Sequence, residues 1–311
     1  MVACRLISDD KLAERLLGGV WGHLIGDAIG VPYEFGPPVP AESVRWGYQA
    51  AYRPQPEGTW SDDGGLMLAL LDSLLEAGFD PEDQGRRAVD WWLNGSYSPG
   101  PLFDIGLITR ESLERFRQGL PAEQAGATGE RENGNGSLMR ILPVALAHHN
   151  LSDSDLFEEA TRASALTHRH PRSKVACALY VLLAKRLING EAAPQSALAD
   201  AFTAARSVVS GEDANELELI AAFSARTGSG YVVDCFWSAW DSFAESSTYE
   251  ETVKRAVAYG DDTDTTACVA GGLAGIRWGL AGIPQAWRTG MRGRDIVDRI
   301  AAKLLEAQRR R

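Results

Sequence analysis

GDDTDTTACVAGGLAGIRWG, residues 260–279, packs three carboxylates and three hydroxyls into one turn, then runs into small apolar residues with helical spacing. Carboxylates this close repel one another unless solvent or a cation neutralises them, and hard cations such as Mg²⁺ prefer carboxylate and hydroxyl oxygens. The apolar run reads as a helix over 265–279. Its Gly271, Gly272 and Gly275 predict close packing against a partner helix. The same design stands far upstream, where Trp60-Ser61-Asp62-Asp63 precedes the apolar run from Leu66 to Leu75. Either cluster alone reads most simply as a helix N-cap. Two in one context point to a shared oxygen-ligand metal site, with the exposed amides and dipole of each helix start favouring ionised carboxylate.

Helical periodicity continues through the rest of the sequence. Ser8-Asp9-Asp10 predicts an N-cap, and Leu12, Leu16, Leu17, Val20 and Leu24 share the face that follows, up to Gly30-Val31-Pro32. Gly18, Gly19, Gly22 and Gly26 interrupt that face and imply close approach by a neighbouring helix or a ligand. Further helices are predicted over 61–77, 85–93, 108–118, 138–148, 153–165, 172–188, 196–208, 214–223, 232–243, 249–257 and 295–307. Strand-like alternation is nearly absent. The expectation is an all-α single domain over 1–311, with no tandem repeat and no linker.

Composition narrows the function. A net charge of −11 over 311 residues argues against bulk affinity for nucleic acid or anionic membranes. No apolar stretch is long enough to span a bilayer, and the first residues lack a signal-peptide core. Cys4, Cys177, Cys235 and Cys268 show no metal-ligand spacing and read as reduced thiols, which fits a cytoplasmic protein, expected to be a monomer.

A glycine-rich turn, Asn133-Gly134-Asn135-Gly136-Ser137, runs into another helix and offers successive amides as a phosphate cradle. His168, ahead of the helix over 172–188, is a candidate for the same cavity.

Taken in order, these segments resemble the ADP-ribosylglycohydrolase family, which includes dinitrogenase reductase activating glycohydrolases and animal ADP-ribosylhydrolases. The matching pieces are Gly22 to Glu34, Trp60 to Asp63, Asn133 to Pro143, Thr167-His168, Ser229 to Asp234, and Gly260 to Pro284. The resemblance implies an all-α fold with a central cleft and a centre of two Mg²⁺ ions, Mn²⁺ being the other candidate. It implies hydrolysis of the glycosidic bond between ADP-ribose and a modified macromolecule, with ADP-ribose released. By motif, Ser61, Asp62, Asp63, Asp262, Asp264 and Thr265 would hold metal, and Glu34, Asp63 and Asp262 would serve catalysis. Asn133, Gly134, Asn135, Gly136 and Ser137 would wrap the diphosphate, His168 would touch substrate, and Gly230 and Tyr231 would lie by the adenosine. Asp27 matches a family motif either as a structural hydrogen-bonding residue or as a site residue. The family usually has threonine where this chain has Gly64, which predicts a hydroxyl missing beside the metals. Two other readings compete: a catalytically silent ADP-ribose binder of the same fold, and a two-metal nucleotide phosphoesterase.

Overall fold

Asp9–Gly30 forms α1, which leads through a 3₁₀ turn at Val31–Tyr33 into a loop with a second such turn at Ala41–Ser43. The computed structural model describes residues 9–50, 54–190 and 193–310; Cys4, Ser8 and Arg311 lie outside them. α2 (Asp62–Ala77), α3 (Pro81–Asn94), α4 (Leu107–Arg117) and the short α5 (Ala122–Ala125) follow. After the glycine-rich turn come a 3₁₀ turn at Leu138–Arg140, α6 (Leu142–His148), α7 (Asp153–Ala165) and α8 (Pro171–Ile188). The remainder is α9 (Pro194–Val208), α10 (Gly211–Ala222), α11 (Val232–Ala244), α12 (Tyr249–Ala258), α13 (Thr263–Trp278), α14 (Gln285–Gly290) and α15 (Arg294–Arg309). Among the described residues there is no strand, only two isolated bridges, Ala127 with His168 and Gly134 with Tyr231. The expected all-α architecture is the one observed.

Local chemistry sets the boundaries. Ser61 caps α2 by accepting from the Asp63 amide, and α2 stops at Gly78, whose φ of +69° favours glycine. Asp80 caps α3, Pro81 opens it, and Gly95 ends it in the left-handed conformation. The single helix expected over 138–148 is instead a 3₁₀ turn followed by α6. Pro143 has no N–H for a bond back to Met139, and its ring crowds that carbonyl.

The middle of α8, Val175 to Ala184, is buried on every side, as a helical run without charges should be, and α8 packs against α6, α7, α9 and α10. The pairing that positions the site is α1 on α13. A methyl at Gly18 would lie 2.1 Å from the Gly275 carbonyl oxygen, one at Gly22 2.4 Å from that of Gly271, and one at Gly26 2.2 Å from that of Ala267. Glycine every fourth residue lets the two backbones touch, as the glycine pattern predicted. The Thr263 hydroxyl then donates to the Gly30 carbonyl at 2.9 Å, fixing the end of α1 against the start of α13.

Candidate active site

The α1–α13 crossing brings the starts of α2 and α13 together. Asp27 of α1 lies beneath them, fully buried, and accepts from the Ser61 amide at 2.9 and 3.1 Å and from the Gly64 amide at 2.8 Å. It thus pins the turn that carries the first cluster. The Ser61 hydroxyl donates to Asp63 at 2.8 Å, and the Cys268 thiol of α13 lies 3.3 Å from the other Asp63 oxygen. Asp62 accepts from the Gly106 amide at 3.3 Å, and Asp262 from the Asn135 side chain at 2.9 Å. Oxygens of Asp27, Asp63 and Asp264 all lie within 4.8 Å of one another.

Four buried carboxylates and the half-buried Asp262, gathered in one place, change each other's protonation. Burial, then repulsion from Asp104, pushes Asp62 up to about 7. Burial pushes Asp27 up to about 8 against the pull of the Ser61 and Gly64 amides. Asp63 and Asp264 also rise, through burial first and neighbouring carboxylates next; Asp262 rises through burial, opposed by the Asn135 hydrogen bond. Among the described residues no lysine or arginine ion-pairs with any of the five.

Above the carboxylates lies a cleft of about 360 Å³, within the range of small-molecule sites. Glu34, Asp62, Asp63, Asp262, Asp264 and Thr265 line it on one side, and Gly134, Asn135, Gly136 and His168 on another. Glu34 sits just past the Val31–Tyr33 turn, on a loop held by two backbone bonds, Phe35 N–H to Asp261 O at 2.7 Å and Asp261 N–H to Gly36 O at 2.9 Å. His168 is buried, and that burial, helped by the Arg140 charge, holds its pKa down at about 3. Arg140 donates to the Thr167 hydroxyl at 3.0 Å, and that hydroxyl lies 2.9 Å from His168 Nδ1. With that hydroxyl donating to Nδ1, the imidazole proton would sit on Nε2, the nitrogen toward Gly134 and Gly136. A methyl at Gly136 would meet His168 at 2.8 Å, so only glycine lets the turn lie this close.

The remaining candidates stand behind the cleft wall. Asn133 is used structurally, bonding the Ser173 hydroxyl and the Glu130 carbonyl. The Ser137 hydroxyl is buried against Ser164 and Cys177. Gly230 backs Asp262: its carbonyl accepts from the Asn135 amide at 2.9 Å, and a methyl on it would lie 3.1 Å from the Asp262 carboxylate. Tyr231 pairs with Gly134 across the isolated bridge, its ring edge-on to Phe223 at 5.6 Å. Sequence reasoning missed Asp104, Leu107, Thr109 and Met139, which also line the cleft. The Gly64 expectation is corrected. A methyl there would lie 2.7 Å from both Leu24 and Trp60, so the position faces the core and not the carboxylates.

The sequence model of the ADP-ribosylglycohydrolase family matches residues 8–311. The chain belongs to that family. Within it, this chain is 30% identical to an ADP-ribosylarginine hydrolase of Pseudomonas putida, over 98% of this chain and 81% of that protein. It is 28% identical to the ADP-ribosyl-[dinitrogen reductase] glycohydrolase of Rhodospirillum rubrum, over 88% and 89%. A solved structure titled as an ADP-ribosylglycohydrolase-related protein complex superposes with a TM-score of 0.79 at 31% identity, covering 96% of this chain and 99% of that one.

The donor set of this chain fits divalent cations. The clustered carboxylates with raised pKa values and no cationic partner are groups that a bound cation would both neutralise and ionise. All the candidate ligand atoms are oxygens, the preference of Mg²⁺ and Mn²⁺. A second acidic and histidine group, Glu130, His170 and Glu216, differs because Arg172 binds both glutamates, at 2.7 Å each. That cluster is an ionic network.

Proposed function

We propose that the protein hydrolyses the N-glycosidic bond between ADP-ribose and an arginine side chain of a modified protein, with Mg²⁺ or Mn²⁺ bound. The carrying observation is the meeting of Asp62, Asp63, Asp262, Asp264 and Thr265 in one cleft with the Gly134–Gly136 turn. Ser61, Asp62, Asp63, Asp262, Asp264 and Thr265 would hold two cations. When bound, these lower the pKa of water and so supply a nucleophile near neutral pH. Glu34 orients a water toward the anomeric carbon. Water adds there, the carbon–nitrogen bond breaks, and the guanidine leaves with a proton. The Gly134–Gly136 turn and His168 hold the diphosphate and ribose, with Gly230 and Tyr231 supporting that turn from behind.

Arginine is favoured as acceptor because Glu34 and Asp104 add acidic groups to the cleft wall, complementary to a guanidinium. The test is incubation with Mg²⁺ and ADP-ribosyl-arginine or ADP-ribosyl-serine peptides, with products identified by mass. Free ADP-ribose from the arginine peptide is expected. AMP as product would replace this reading with phosphoester cleavage, and binding without turnover would replace it with a silent binder.

A further inference from the structure

Most large apolar side chains of this protein are buried, yet two that line the cleft are not: Phe35 is 64% exposed and Leu107 59%. Both stand at the mouth. Phe35 follows Glu34 directly, and Leu107 follows Gly106, whose amide bonds Asp62. The cleft therefore grades from carboxylates at its floor to apolar groups at its rim.

Phe35 is held there against its backbone preference. Among the described residues, Phe35 (φ +59°) and Asp261 (φ +57°) are the two non-glycine residues in the left-handed region. They are also bonded to one another, as described above. A bulky side chain at positive φ is strained, and such strain persists only where surroundings over-determine it. Gly260 supplies that constraint: a methyl there would lie 2.6 Å from the Pro38 nitrogen, so the loop is seated tightly. Glycine would suit position 35 better conformationally. What phenylalanine adds is a ring facing the cleft.

We propose that Phe35 and Leu107 form the acceptor subsite, gripping the aliphatic stem of the amino acid from which ADP-ribose is removed. This rests on the hydrolase reading above. The neighbouring carboxylates Glu34 and Asp104 select the occupant, since they repel a diphosphate and attract a cationic group. An arginine side chain has the matching order, apolar methylenes and then a cation. Phe35 and Leu107 are thus specificity residues, and their contact is made with acceptor and not with ADP-ribose.

The test uses Phe35→Asn, since asparagine tolerates positive φ and removes the ring without adding strain, together with Leu107→Ser. Leu93→Ser, an exposed leucine of α3 away from the cleft, is the control. Steady-state kinetics on an ADP-ribosyl-arginine peptide are measured beside ADP-ribose affinity by calorimetry. Losing apolar contact to the stem should raise KM for the peptide roughly tenfold in each cleft variant, with a smaller effect on kcat. ADP-ribose affinity should stay within about twofold, since uniform loss of acceptor binding leaves the other half untouched. An unchanged KM in both variants overturns the subsite. So does an equal fall in ADP-ribose affinity, which would put the ring on the adenine. Wild-type protein that binds ADP-ribose yet turns over no peptide would instead overturn the hydrolase reading, and the subsite with it.

Discussion

Asp62, Asp63, Asp262 and Asp264 are costly to bury side by side, and that cost makes their removal informative. Each changed singly to alanine should lose at least about a hundredfold in activity, as for loss of a metal-held nucleophile, with helical circular dichroism retained. Near-normal turnover in two of them would mean that the centre lies elsewhere. His23 gives a pH prediction outside the centre. Burial drives its pKa down to about 3, against a weaker pull from the Asp63 backbone. Folded protein keeps this histidine neutral while the unfolded chain protonates it near 6.5. Its stability contribution is therefore present above about pH 6.5 and lost as pH falls toward 3. His23→Leu should accordingly raise the melting temperature relative to wild type more at pH 5 than at pH 8; an equal difference at both would refute this. At this scale the sequence was readable where chemistry is local. Acidic residues at helix starts announce themselves, whereas Ser137 and Asn133 show that adjacency in a motif does not tell which way a side chain points. Asp104 carried no signal because its place in the wall depends on a loop without a spacing code, and Met139 on the Leu138–Arg140 turn reads as an ordinary apolar helix residue.

Helices were legible because their apolar periodicity and caps are strong, and the misses have physical causes. α5 and α14 are too short for periodicity to register, and Pro143 broke a helix that pattern alone made continuous. The pairing of α1 with α13 was foreshadowed by glycine spacing, though only the structure shows which residues touch. Gly275→Val tests it. A methyl there would already lie 1.9 Å from the Gly18 carbonyl oxygen, so the helices must separate. Denaturant unfolding should show a loss of more than about 2 kcal/mol, at the upper range of overpacking. A loss under half that would mean the crossing is loose. Gly64→Thr should cost about 1–3 kcal/mol by the same mechanism, and a Mg²⁺ titration should show no gain in affinity. Tighter binding in a variant of normal stability would restore the hydroxyl interpretation.

For the molecule as a whole, cation binding and folding should be linked. Millimolar Mg²⁺ should raise the melting temperature, since a ligand of the native state stabilises it by mass action, by about 2.7 kcal/mol at a hundredfold excess over Kd. Excess chelator should abolish both that shift and turnover; full activity after metal removal would reject the mechanism. The Thr263–Gly30 and Cys268–Asp63 hydrogen bonds span 233 and 205 residues. Ribosomes deliver those partners at opposite ends of synthesis. A growing chain carries half a reaction centre through most of its manufacture and gains the other half only when α13 emerges. On the proposed reading, chains that stop before Thr263 should be inactive, since they lack Asp264 and Thr265 as well as the helix that packs on α1.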